Sequence, residues 1–301
     1  MMHLINKLLL VGLRRVPKEL VRPIAMRYIA GEGLEDAVRV VRGLNARNML
    51  ATVDVLGEDV STKEEAEQAR EVCARVLKTV QEEGLDSNLS IKLTQLGLKI
   101  DERLCYENVK KILQVARGYG NFVRIDMEDS SITDSTLDLY ERLCAEGFEN
   151  VGVVIQAYLR RSEEDVRKLV RTRTNVRLVK GIYMEPEAIA LKDREAIREN
   201  YLKLLKMLLE ARCYVAIATH DDFLIKGGFQ FIREMDLPQN AYEFQMLYGV
   251  RTKLRDQILA RGHRMRIYVP FGAHWYSYSM RRFQENPQMV RYILQALLVK
   301  N

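Results

Sequence analysis

Near its C-terminus the sequence places Arg281, Arg282 and Glu285 within about one helical turn, with Tyr278 on a neighbouring face. Two adjacent guanidinium groups repel each other unless an anion neutralises them. A carboxylate suits them, because each planar fork can grip it through two charge-assisted hydrogen bonds. Glu285 would then orient one arginine or meet a cationic amine on the same ligand. An RRxxE pattern alone also describes a solvated charged face. The aromatic run Tyr268, Phe271, Trp275, Tyr276 and Tyr278 favours a site, since the chain's only tryptophan stands beside its densest charge cluster.

Polar residues also recur at the ends of short apolar runs upstream. They are Asp54 and Glu58, then Lys92 and Thr94 in SIKLTQLG, then Arg124 and Asp126 in VRIDMED, then Gln156. Arg177, Lys180 and Tyr183 follow in VRLVKGIY, Thr219 and His220 in IATHD, and Glu243 and Gln245 in YEFQML. A lysine inside an apolar run needs a buried counter-charge, and Asp126 is the expected partner of Lys92. Any one of these residues is equally well a satisfied core polar group, and a lone His220 reads first as structural. It is their accumulation that points to a site. Lys92, Arg177, Lys180, Arg281 and Arg282 together make a cationic interior suited to a ligand with phosphates and carboxylates. Lys92 also admits a Schiff-base role, as in aldolases that carry a lysine on a barrel strand.

The elements that must position these residues alternate regularly. Strand patterns fall at Met49–Leu56, Asn88–Leu93, Asn121–Met127, Val151–Gln156, Val176–Lys180, Cys213–Thr219, Tyr242–Met246 and Met265–Val269, the last ending in a turn at Pro270 and Gly272. Helical patterns lie between them at Thr62–Glu83, Glu102–Arg117, Ser131–Glu146, Glu163–Arg171, Pro186–Arg212, Phe223–Met235 and Thr252–Arg261. Strands read as apolar on both faces, each followed by a helix, belong to a parallel sheet. The predicted fold is α/β, a closed (β/α)8 barrel in one domain spanning 1–301, with 1–47 as an N-terminal helical arm. The alternative, an open doubly wound sheet, would carry a glycine-rich phosphate turn, and GxGxxG is absent. In a barrel the strand ends just named line one mouth. The helix bearing RRxxE lacks a plain apolar stripe and is expected to lie over that mouth. The following Gln288–Val299 has the face of a barrel-packing helix.

Composition narrows the function. With 48% hydrophobic and 29% charged residues in 301, the chain has ample material for one soluble core. Its net charge of +6 is interspersed with acids, and no basic tract suggests nucleic acid. The four cysteines lack CxxC spacing and the four histidines lack HxH or HxxxH, so neither a disulfide framework nor a metal site is expected. Ile5–Leu13 is too short for a membrane span and reads as an amphipathic helix rather than a signal sequence. A cytoplasmic protein is expected.

SIKLTQLG (90–97), RIDMEDS (124–130), VVIQAYL (153–159), VRLVKGIYMEP (176–186), IATHD (217–221), YEFQMLYGVR (242–251) and RIYVPFGAHWYSYSMRRFQENP (266–287) resemble the proline dehydrogenase family, in the family's order. The resemblance implies an FAD-dependent barrel that oxidises L-proline and passes electrons to a quinone. It places Arg177 at the flavin N5 region and Gln156 at the flavin edge. Asp126, Val179, Lys180, Gly181, Thr219, His220, Gln245 and Glu285 match further cofactor positions. Arg281 and Arg282 match the clamp on the proline carboxylate, with Lys92, Asp126, Tyr183, Leu247, Tyr268 and Tyr278 around the ring and amine. Arg177, Lys92 and Asp126 are the implied catalytic group. Glu58 matches an acid that pairs with Arg281 in the empty site. A phenol at Tyr268 would crowd a ring hydroxyl and so favour proline over hydroxyproline. The sequence departs from the family at Ile182, usually Ala, and at Ala273–His274, usually a charged or polar pair. The family also implies contact with the inner face of the cell membrane, for which 5–15 and 288–299 are the amphipathic segments. Two other classes stay open: a Schiff-base aldolase using Lys92, and a non-catalytic flavin- or amino-acid-binding barrel.

Overall fold

The computed structural model describes residues 18–57 and 59–285, with the backbone alone at 20, 24 and 281–285. Glu58 and the segments 5–15 and 288–299 lie outside the described residues.

Eight parallel strands close into a barrel in sequence order: β1 (Leu50–Val55), β2 (Ser87–Ile91), β3 (Val123–Ile125), β4 (Val151–Gln156), β5 (Val176–Val179), β6 (Val215–Ala218), β7 (Tyr242–Leu247) and β8 (Met265–Phe271). The helices are α1 (Lys18–Ala25), α2 (Leu34–Asn45), α3 (Lys63–Glu82), α4 (Glu102–Gly118), α5 (Thr133–Ala145), α6 (Ser162–Leu169), α7 (Arg194–Glu210), α8 (Asp222–Glu234), α9 (Thr252–Ala260) and α10 (Trp275–Glu285). Capping defines several helix starts. Thr62 accepts from the Glu65 amide in a reciprocal capping box at α3, while Asp101 and Asp193 cap α4 and α7.

The strands are not apolar on both faces, as the run lengths had suggested. Val53, Leu89, Ile91, Val123, Ile125, Val153, Ile155, Leu178, Ile217, Phe244 and Ile267 face the helices and form the core between sheet and helix ring. The alternate residues meet across the barrel, between strands that are not neighbours. Tyr268 on β8 reaches Asp126 after β3, and Arg177 on β5 reaches Ser90 on β2. The interior is therefore polar, and every charge in it must find a partner there.

Those partners fall at two depths. Arg124 and Glu243, expected at the mouth, lie at the opposite end. Arg124 donates to the Val153 carbonyl at 2.9 Å and to the Asn175 carbonyl at 2.6 Å, and Asn175 precedes β5. Glu243 accepts from Arg266 at 2.8 Å and from Tyr214, just before β6, at 2.8 Å. Burial pushes the Glu243 carboxyl up, but the Arg266 charge and the bonds from Arg266, Gln245 and Tyr214 bring it below its ordinary value.

Three boundaries differ from the sequence pattern. β8 runs on through Pro270, held by pairing with β1, and the turn comes at Gly272 with φ of +136°. α7 begins at Arg194 rather than at Pro186. The preceding loop is held elsewhere, because Glu185 accepts from the amide and hydroxyl of Ser130, each at 2.7 Å. β7 runs one residue past the pattern, to Leu247. Of residues 1–47, Leu34–Asn45 packs against both β8 and β1, the place in the ring where a helix following β8 would sit. α10 instead packs on α1.

Candidate active site

The strand ends converge on Asp126. Its Oδ1 accepts from Arg177 Nη1 at 2.6 Å and from the Ser90 hydroxyl at 2.9 Å. Its Oδ2 accepts from the Tyr268 hydroxyl at 2.7 Å, and Lys92 Nζ stands 3.7 Å away. Burial pushes this carboxyl up, but the charges of Arg177 and Lys92, with the bonds from Tyr268 and Ser90, hold it below the usual carboxylate range. Tyr268 moves the other way. Burial, then the charges of Asp126 and Asp54, raise its phenol well above the ordinary value, so it stays a donor to Asp126. Arg177 also lies over the Tyr268 ring, 5.2 Å from its centroid.

Lys92 pairs with Asp126, as expected, but at 3.7 Å. Its close counter-ion is Asp54, at the end of β1, with Nζ to Oδ1 at 2.6 Å. Asp126 is the more distant one. An ammonium held in a short ion pair is a poor nucleophile, which weighs against the Schiff-base reading.

Arg177 is 4% exposed, and among the described residues only its Nη1 is hydrogen-bonded. Its Nε and Nη2 are buried and have no hydrogen-bond partner among the described residues. A buried guanidinium left with free donors is costly unless a guest supplies acceptors. Of the other expected cofactor positions, Gln156 and Val179 are register neighbours on β4 and β5 beside Arg177. The Gln156 amide donates to the Glu128 carbonyl at 2.9 Å. Gly181 has φ of +109°, and a Cβ there would meet the Tyr158 ring at 2.0 Å, so only glycine fits this turn.

Lys180 reaches Asp221 Oδ2 at 3.4 Å, and Asp221 is held by Arg198 at 2.8 and 3.0 Å. Burial pushes the Asp221 carboxyl up, but the Arg198 bonds and the Lys180 charge bring it to about 2. The Thr219 hydroxyl accepts from the Asp221 amide at 3.2 Å. His220 Nε2 accepts from the Leu247 amide at 3.0 Å, which places its ring proton on Nδ1 and ties the end of β6 to that of β7. Gln245 turns its amide toward Glu243, one layer deeper.

Of the expected substrate positions, Leu247 stands opposite Tyr268 in the strand register. Tyr183 is half-buried on the loop after β5, beside Ile182 at the surface. Tyr278 is buried on α10, and its phenol lies close enough to Tyr268 to raise that residue's proton affinity further. This carries the first half of α10 over the barrel mouth. Arg281, Arg282 and Glu285 continue the same helix, but their side chains lie outside the described residues, as does Glu58.

Glu128 and Asp221 were missed as site residues in the sequence, and Asp54 was marked there without a role. Asp54 carries Lys92. Glu128 accepts from the Thr94 amide at 3.1 Å and from its hydroxyl at 2.5 Å, tying the ends of β2 and β3 together. Asp221 anchors Lys180. Each stands inside a run already marked as polar at a strand end. Among the described residues no three His, Cys, Asp or Glu side chains are grouped to hold a metal ion, and no helix is long and apolar enough to cross a membrane.

A sequence model of the family described as proline dehydrogenase matches residues 37–293. The chain is 42% identical over 276 residues to Proline dehydrogenase 1 of Bacillus subtilis subsp. natto, covering 92% of this chain and 91% of that one. It is 36% identical over 279 residues to the Proline dehydrogenase of Deinococcus radiodurans, covering 91% and 90%. Among solved structures, proline utilization A (PutA) from Bdellovibrio bacteriovorus inactivated by N-propargylglycine superposes with a TM-score of 0.84 at 27% identity. That match covers 89% of this chain but 33% of the longer one, so the chain spans about one third of that protein. A polar barrel mouth centred on Asp126, Arg177 and Lys92, and agreement over nearly the whole sequence, lead to one assignment: the chain belongs to the proline dehydrogenase family of oxidoreductases.

Proposed function

We propose that the chain oxidises L-proline to Δ1-pyrroline-5-carboxylate on a bound FAD, the first step of proline catabolism to glutamate. A flavin held there would supply, at N5, the two-electron acceptor for the hydride from the ring carbon beside nitrogen, and a quinone-type acceptor would take those electrons on. The observation that carries this reading is Arg177, buried at the end of β5 with Nε and Nη2 unpartnered among the described residues. Those donors fit the acceptor-rich edge of a flavin. Gln156, Val179, Lys180, Gly181, Thr219, His220, Gln245 and Glu285 would hold the rest of it, with Asp126 behind Arg177.

The chain's own residues supply orientation and charge. Asp126 stays ionised and keeps Arg177 aimed. Lys92, Tyr183, Leu247, Tyr268 and Tyr278 shape a pocket that excludes water from the ring, while Arg281 and Arg282 fix the carboxylate. The amine must be neutral before hydride leaves, because its lone pair forms the C=N bond. The resulting iminium then sheds its proton. The acceptor and any contact with the membrane face are part of this proposal. The amphipathic segments expected to make that contact lie outside the described residues.

The test is the visible spectrum of the purified protein before and after anaerobic L-proline. Bound-flavin absorption that bleaches on addition is expected. A colourless protein, or a yellow one that L-proline leaves unchanged, would sink the reading, and borohydride trapping of substrate on Lys92 would replace it with aldolase chemistry. A second expectation concerns the clamp. Arg281→Met should raise the KM for proline far more than it alters flavin content. Losing one bidentate contact costs about 1.5–3 kcal/mol, roughly tenfold to more than a hundredfold in kcat/KM. Equal KM values for variant and wild type would remove Arg281 from the clamp.

A further inference from the structure

Among the described residues two carboxylates flank Lys92, and they are not equivalent. Asp54 lies at 2.6 Å from Nζ and Asp126 at 3.7 Å, while the Tyr268 hydroxyl is 3.5 Å away. Asp126 is already engaged by Arg177, Ser90 and Tyr268. Asp54 is 1% exposed, and its Oδ2 has no hydrogen-bond partner among the described residues. A buried carboxylate with one ammonium on one oxygen and nothing on the other is held in place chiefly by that ion pair. β1 and β3 flank β2 on either side, so Asp54 and Asp126 pull the Lys92 ammonium in opposite directions.

We propose that Asp54 is a positioning residue for proline oxidation. It draws the Lys92 ammonium to the β1 side of the mouth and so leaves Asp126 to Arg177 and Tyr268. Without Asp54, the ammonium relaxes toward Asp126, competes with Tyr268 and Arg177 for the same two oxygens, and moves the pocket wall under the proline ring. Asp54 acts through Lys92 and need not touch the substrate. The inference rests on Lys92 lining the proline pocket.

Two measurements test it. In a double-mutant cycle on the flavin-loaded enzyme, Asp54→Asn is expected to lower kcat/KM for L-proline about thirtyfold. In a Lys92→Gln background the same change should alter it by less than about twofold, because the residue through which Asp54 acts has gone. A thirtyfold loss that persists without Lys92 would overturn the proposal. The second measurement needs neither activity nor a folded single Asp54 variant. Lys92→Gln strands Asp54 as a buried, unpaired charge, so adding Asp54→Asn should raise Tm by about 2 °C or more. An unchanged or lower Tm would show that other groups hold Asp54, and would overturn the proposal even if proline oxidation stands. Should the protein prove not to oxidise proline, the stability comparison still decides whether Asp54 serves Lys92.

Discussion

Arg177→Met is expected to lower kcat/KM for L-proline by about a hundredfold to a thousandfold, the usual cost of removing one preorganised charge-stabilising donor. The arginine is buried, its Nη1 is committed to Asp126 at 2.6 Å, and its Nε and Nη2 have no partner among the described residues. Methionine keeps the volume of the stem and removes both the charge and the fork. Arg177→Lys restores a charge without the planar geometry and should recover only part of the loss. The loss should appear mainly in kcat, because the donors are needed where charge develops. Stability should change less, since Asp126 retains Lys92, Tyr268 and Ser90. Steady-state kinetics on flavin-loaded protein, with flavin content measured beside them, check this. A variant with wild-type kcat would exclude Arg177 from the chemistry.

The second large effect is expected from Asp126→Asn, and it falls on stability as well as rate. Asparagine keeps one acceptor oxygen, for Tyr268 or for Ser90, whose bonds fall on different oxygens of the carboxylate, and Arg177 loses the one carboxylate it pairs with among the described residues. Breaking a buried ion pair from one side costs about 3–5 kcal/mol, which in a chain of this size lowers Tm on the order of 10 °C. The pH dependence follows from the direction of the shift. The folded state lowers the proton affinity of Asp126, so its stabilisation is complete above the ordinary carboxylate value of about 4 and is lost as pH falls through the folded value. The Tm gap between wild type and Asp126→Asn should therefore be widest near neutrality and close in acid. A gap that is the same at every pH would show that Asp126 acts by shape alone.

Much of this was legible in the sequence, for identifiable reasons. All eight strands stand where strand-length runs such as VGVVIQ and VRLV put them, because one face of each must be apolar to cover the helix ring. The polar inward face was legible residue by residue but not by depth. Arg124 lies on β3 and Asp126 just past its end, two positions on, so a period of two gives them the same face and says nothing about which end of the barrel each serves. Glu243 and Gln245 pose the same ambiguity. Lys92 faced a different one, since topology makes Asp54 and Asp126 equally its neighbours, and only geometry separates 2.6 Å from 3.7 Å. The stretch before α7 looked helical because local propensity cannot register that Glu185 is tied to Ser130 on another loop.

The placement of Leu34–Asn45 against β8 and β1 has a mechanical consequence. The staves of the cask are hooped shut by a segment from the front of the chain and not by the segment that lies across its opening. Trp275–Glu285 is in that sense a hatch and not a hoop. Its side chains can be tuned to a guest, and its contact with Lys18–Ala25 loosened, without loosening the vessel beneath.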